Sequence, residues 1–244
     1  MKKLVTSLFI SLATSLLFVP SLAMASETEL HLDRAPDRSG DKAALQNGAK
    51  IFVNYCLNCH SASYMRYNRL QDIGLTDQQI KDNLLFTADK VGESMSITMR
   101  RDEAKEWFGI APPDLTVIAR ARASGFGSGA DWLYTYLRGF YRDSERPTGW
   151  NNTVFENVGM PHVLWELQGE QVLGEDHKLT LATPGKMKPQ AYDDMVADLV
   201  GFLQYMGEPG AAKRKSLGWI VLLFLGVLFV LAYALKREYW KDIH

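Results

Sequence analysis

Apolar positions along the chain follow two patterns, and each predicts a different kind of element. At both ends they run together. Residues Leu4–Val19 are uncharged and largely apolar behind Lys2 and Lys3, and Leu217–Leu235 is a run of 19 residues without a charge. Between the ends the pattern is periodic. Leu45, Ala49, Phe52 and Val53 share one stripe and predict a helix from about Asp41 to Tyr55, in which Gly48 leaves room for a second helix to cross closely. Met195, Leu199, Phe202 and Met206 stand at 4-3-4 spacing and predict a last soluble helix over about Ala191–Met206, ended by Gly207-Glu-Pro-Gly210.

Weaker signals fill the interval. Short helices are predicted over Ser61–Leu70, behind the cap sequence Thr76-Asp77-Gln78-Gln79, behind Asp114 (with Val117, Ile118 and Ala119), and over Trp132–Phe140. Met95 and Met99 fall in a charged segment that reads as an exposed helix. Two prolines make Ala111–Thr116 a rigid loop, because they fix φ and donate no N–H. Ser124–Gly129 reads as a glycine-rich turn, Arg138–Asn152 as a polar loop, and Ser26–Asp41 as an extended arm. Val163–Leu167 with Lys178–Ala182 suggests a small β-hairpin.

The end runs have different meanings. Lys2 and Lys3, the apolar stretch and Ala23-Met24-Ala25 form a secretory signal peptide over residues 1–25; the competing reading is an uncleaved anchor. Leu217–Leu235 is about 28 Å long as a helix, close to the roughly 30 Å of a bilayer's hydrocarbon core. Trp219 sits near one boundary, and Tyr233, Tyr239 and Trp240 near the other. Basic residues tie across it, Lys213, Arg214 and Lys215 against Lys236, Arg237 and Lys241, so the signal peptide decides orientation. The expected organisation is a signal peptide (1–25), an exported domain (26–207), a linker (208–216), a transmembrane helix (217–235) and a cytoplasmic tail (236–244).

Charge adds one exclusion. The formal total is −1; without Lys2 and Lys3 it is −3, and the segment from Lys213 onward holds +4, so Ser26–Ala212 carries −7. Such a domain repels nucleic acid and favours a basic protein partner by steering, unless its carboxylates are merely dispersed for solubility.

The chemistry is concentrated in Cys56-Leu57-Asn58-Cys59-His60. Two thiols at this spacing can each reach one vinyl group of a single porphyrin, and the following histidine can ligate iron; Cys-x-x-Cys-His is the signature of c-type haem attachment. A zinc site needs about four ligands, and these are the only two cysteines. A thioredoxin-like pair belongs to a βαβ pattern that is missing here, and a disulfide across two residues is sterically poor. Export agrees with haem attached outside the bacterial cytoplasm. For the sixth ligand, Met195 and Met206 belong to a helix core and Met65 lies too near His60. Met160, in Val158-Gly-Met-Pro161, is the best candidate: glycine admits close backbone approach and proline stiffens the loop. His162, two residues on, is its rival.

Several motifs in order resemble one family: CLNCH at 56–60, APPDLT at 111–116, IARAR at 118–122, Gly-Met-Pro at 159–161 and the single C-terminal anchor. Over essentially the whole mature chain these resemble the bacterial cytochromes c1, haem subunits of the cytochrome bc1 complex. The resemblance implies a mainly α, cytochrome c-like haem domain with insertions and a small β-hairpin, plus one transmembrane helix. It implies one covalent haem c on Cys56 and Cys59, axial ligation by His60 and Met160, Arg120 on a haem propionate, and Pro112 and Pro113 packed by the haem and His60. One departure is His162, which follows Pro161 where relatives continue in proline. The implied role is transfer of one electron from the Rieske iron–sulfur protein to a c-type cytochrome, beside cytochrome b in the bacterial inner membrane, with the haem domain in the periplasm and no catalysis by this subunit alone. A shuttle feeding an oxidase directly, and a haem enzyme or gas sensor with an open coordination site, are the alternatives.

Overall fold

The computed structural model describes residues 30–241, so the signal peptide at 1–25 and the last three residues of the tail lie outside the described residues. The core is built on a crossing of two helices. Helix α1 (Lys42–Ile51) starts at Asp41, whose carboxylate accepts from the N–H groups of Ala43 and Ala44. Helix α7 (Pro189–Gly207) buries Met195, Val196, Leu199, Val200, Phe202, Leu203 and Met206 on its inner face. The two meet at Gly48. A Cβ there would lie 2.1 Å from the Asp198 carbonyl oxygen and 2.7 Å from Phe202 Cβ, so no larger residue fits without parting the helices. Phe52 and Phe202 then pack with ring centroids 5.6 Å apart. Both side chains are fully buried, each contributing about 1.5–3 kcal/mol.

Other elements attach to this pair. Helix α2 (Asp77–Asn83) opens with the expected capping box, Thr76 with Gln79. Helix α3 (Arg101–Phe108), α4 (Ile118–Ala121) and α5 (Gly129–Arg138) follow; Ser128 and Asp131 form a second capping box at α5. The arm from residue 31 runs over α5 and α7 without regular structure. It is held by Asp33 N to Thr135 Oγ1 and Ala35 N to Asp131 Oδ1, both 2.8 Å, and by Arg138 with Asp33 and Arg38 with Asp194.

Three two-stranded antiparallel ladders complete the domain: β1 (Ala62–Arg66) with β2 (Ser94–Met95), β3 (Phe140–Arg142) with β4 (Trp150–Asn152), and β5 (Gly169–Leu173) with β6 (Leu179–Pro184). They bring most of the corrections. Ser61–Leu70 is a strand followed by a 3₁₀ turn (Tyr67–Ile73), because Ser63 N donates to the Asp114 carboxylate and Tyr64 N to Thr116 Oγ1. Those donors are lost to a helix. Met95 is fully buried in β2 opposite Ala62, and Met99 lies outside helix, so the exposed helix begins only at Arg101. Asp114 does not cap α4, since its carboxylate is taken by Thr116 and Ser63. The expected loop over Arg138–Asn152 contains the β3–β4 hairpin; its asparagines serve internal backbone groups rather than water. The small hairpin exists, but Trp165–Gln168 is a helical turn, α6, and the strands begin at Gly169.

Helix α8 (Ala211–Tyr239) follows α7 after residues 208–210. Its stretch Lys213–Tyr239 spans 27 residues and contains an 18-residue window of mean hydropathy 2.6, and its apolar side chains, Trp219, Leu223 and Phe229 among them, face outward with none of that window buried in protein. A helix apolar on every face has no stable place in water, and this one is long enough to cross a bilayer. At its base Glu208 pairs with Arg214 and with Arg120 (3.6 Å).

Candidate haem centre

The Cys-x-x-Cys-His stretch sits where α1 changes its winding. Residues Phe52–Cys56 form a π turn, an element that often marks functional positions in helices. Leu57 N donates to Phe52 O at 2.9 Å, and Cys59 N and His60 N both donate to Cys56 O, at 3.1 and 2.9 Å. Buried Leu57 anchors this turn, while Cys56, Cys59 and His60 stay partly accessible with both thiols free. Burial pushes the Cys56 thiol up to about 12, with a smaller contribution from Cys59, and burial raises Cys59 too. Both remain protonated at neutral pH.

His60 is oriented by the proline loop. Its Nδ1 lies 2.8 Å from the Pro113 carbonyl oxygen, which can only accept, so Nδ1 carries the proton and Nε2 keeps its lone pair. Burial lowers the pKa of His60, outweighing the Pro113 hydrogen bond and the nearby Asp114 charge. The imidazole is therefore neutral, the form that binds metal. Leu115 N to Ser61 O, at 2.8 Å, and the bonds of Asp114 and Thr116 to β1 fix the loop beside the histidine. Pro112 lies half-buried just before it.

The same segment reaches the Met160 loop at its other end. A Cβ on Gly159 would lie 3.3 Å from Ile110 Cγ2 and 3.4 Å from the Phe108 carbonyl, so a side chain there would crowd this segment. One stretch, Phe108–Thr116, thus holds His60 through Pro113 and packs beside Gly159, the residue before Met160, and Ile110 within it is 62% exposed. Asn152, fully buried, shapes the approach to Met160: Nδ2 donates to Tyr136 O at 2.8 Å, and Oδ1 accepts from Val154 N at 2.9 Å. The Tyr136 hydroxyl donates to Met160 Sδ at 3.3 Å. Tyr136 was not singled out from sequence. An (i, i+4) aromatic pair with Trp132 on a helix is ambiguous without its tertiary neighbours.

The rival, His162, is 2% exposed. Its ring stacks on Phe140 at 4.8 Å and meets Trp150 edge-on at 5.0 Å, and its Nε2 makes no hydrogen bond. Burial lowers its pKa to about 4, so it is a neutral packing residue. Arg120 is exposed, and its ion-pair partner among the described residues is Glu208. No three His, Cys, Asp or Glu side chains among the described residues converge as a metal site would require. Two thiols on one turn, an imidazole with Nε2 unclaimed, a thioether and exposed apolar Ile110 fit a porphyrin bound through its edge and its iron.

A mainly helical domain carrying this turn, joined to one outward-facing apolar helix, has the makings of a membrane-anchored c-type cytochrome. Comparison with known proteins narrows the class. The model of the Cytochrome C1 family matches residues 34–243, and the chain belongs to that family. It is 48% identical over 245 residues to "Cytochrome c1" of Allochromatium vinosum, covering 96% of this chain and 98% of the relative. It is 51% identical over 234 residues to a Nitrosomonas europaea protein named "Ammonia monooxygenase gamma subunit", covering 96% and 97%. "Cytochrome c1" of Rhodospirillum rubrum is 28% identical over 231 residues, 83% of each chain. As a member of this family the chain is a membrane-anchored electron-transport protein with covalently bound haem c, the haem subunit of a cytochrome bc1 complex.

Proposed function

We propose that this subunit accepts one electron from the Rieske iron–sulfur protein and passes it to a c-type cytochrome, on the periplasmic side of a bacterial inner membrane and in association with cytochrome b. Cys56 and Cys59 would hold a single haem c through two thioethers, and His60 and Met160 would ligate its iron. Haem c supplies the one-electron couple when bound. With an imidazole and a thioether both serving the iron, no position would stay open for substrate. His60 presents Nε2 because Pro113 holds Nδ1; Met160 presents a soft thioether, which favours the ferrous state and a high potential. Neither step moves a proton, so the surrounding groups need only stay fixed.

The observation that carries this reading is the shared segment Phe108–Thr116, which contacts His60 through Pro113 and the Met160 loop through Ile110. Packing of His162 between Phe140 and Trp150 favours Met160 over its neighbour as ligand. Arg120 itself is exposed on α4, and a propionate would have to draw it from Glu208 or share it. The test is Met160→Leu in the holoprotein. It should keep its haem, lose the near-infrared band of ferric iron bound to sulfur, fall in potential and admit carbon monoxide. His162→Ala should keep the band. The reverse pattern would assign the sixth position to His162.

A further inference from the structure

Met160 stands at the end of a stack that neither the family nor the motifs explain. The Arg122 guanidinium carbon lies 4.4 Å from the centre of the Trp132 ring. Trp132 is stacked on Tyr136, with centroids 4.8 Å apart and planes at 14°. On the other side Tyr136 meets Phe140 edge-on at 5.1 Å. Its backbone carbonyl is tied to buried Asn152, so the ring cannot shift along α5 without breaking that bond. The hydroxyl at the far end donates to Met160 Sδ.

We propose that Tyr136 is a positioning residue that tunes the redox centre through Met160: its fixed O–H dipole acts on the sulfur and raises the reduction potential. The inference rests on the assignment of Met160 as axial ligand. A thioether sulfur has two lone pairs, so one can serve iron while the other accepts the phenol proton. The positive end of that dipole faces the sulfur. It draws density from the thioether and disfavours the more positive ferric state relative to the ferrous one. Hydrogen bonds to a ligand atom are an established lever on metal potentials. The stack makes the lever rigid, since Trp132 and Phe140 hold the ring on two sides and Arg122 caps Trp132.

The test is Tyr136→Phe in the intact membrane complex, read by potentiometric titration and by the near-infrared sulfur-to-iron band. Phenylalanine keeps the ring in its stack and removes only the donor. The expected result is a lower potential and a displaced band, with haem content and the α-band unchanged. Site-specific 3-fluorotyrosine at position 136, a more acidic phenol and a stronger donor, should move both readings the opposite way. That variant keeps the test alive if Tyr136→Phe fails to assemble. Equal potentials and bands in wild type and both variants, with the band lost in Met160→Leu, would overturn the role of Tyr136 and leave the ligand assignment standing. A wild-type protein with no such band would overturn both.

Discussion

Replacing Gly48 by alanine should damage the protein more than any other single-methyl change in α1. The added Cβ would stand 2.1 Å from the Asp198 carbonyl oxygen and 2.7 Å from Phe202 Cβ. Ordinary contact begins near 3.4 Å, and the obstruction is helix backbone, which cannot rotate away. The helices must therefore part by roughly an ångström, since close-packed interiors do not absorb such an overlap. Parting stretches the 2.8 Å bond from Asn47 Nδ2 to Asp198 and the Phe52–Phe202 contact. Overpacking of this kind costs about 1–3 kcal/mol or more, and alanine's better helix propensity returns at most about 1 kcal/mol. A net loss of about 2 kcal/mol should lower the melting temperature by roughly 4–8 °C in a domain of this size. Because α1 ends in the Cys56–His60 turn, the melt should be followed by Soret circular dichroism of the intact complex. Gly92→Ala, where a Cβ meets nothing within 4 Å, is the control and should melt like wild type. A Gly48→Ala protein melting within a degree of wild type would refute the close crossing.

Other outcomes are open to direct checking. Haem should stay with the polypeptide on a denaturing gel and stain for peroxidase activity; a pyridine haemochrome with both vinyls intact would contradict attachment at Cys56 and Cys59. Asp114 should contribute to acid stability: burial opposes its charge, but hydrogen bonds from Thr116 and Ser63 outweigh it and hold its carboxyl below the usual range. Its contribution is therefore complete above the unfolded value near pH 4 and lost as pH falls through the lower folded one. Asp114→Asn should cost about 1–2 kcal/mol at pH 7 and flatten the acid limb of the stability curve. A reporter fused after His244 should be active only in the cytoplasm, and protease added to spheroplasts should digest the haem domain.

What the sequence disclosed, and what it hid, follow from the range of the forces involved. Helices α1 and α7 were each legible because Gly48 and the stripe Met195, Leu199, Phe202 and Met206 write an apolar face into local spacing; that these two faces meet each other came only with the family resemblance, and the structure places the contact at Gly48. The Cys56–His60 turn was legible because its chemistry demands adjacent residues. Strand β1 was not, because what unwinds Ser61–Leu70 from a helix is a pair of acceptors, on Asp114 and Thr116, about fifty positions away. The polar stretch Arg138–Asn152 misled for a related reason. Asn151 and Asn152 are buried and bond to backbone groups, which composition cannot distinguish from solvation. Pro113 was expected beside His60 only through family resemblance; the structure adds the atom, a carbonyl oxygen that sets the imidazole tautomer.

The central claim is that this chain carries electrons from the Rieske centre, and stopped-flow spectroscopy of the purified complex addresses it most directly. Quinol should be mixed with complete complex and with complex lacking the Rieske subunit, and the c-type α-band followed in time. The band should rise within a turnover in the complete complex and stay flat without the iron–sulfur protein. Reduction at the same rate in both preparations would contradict the assignment.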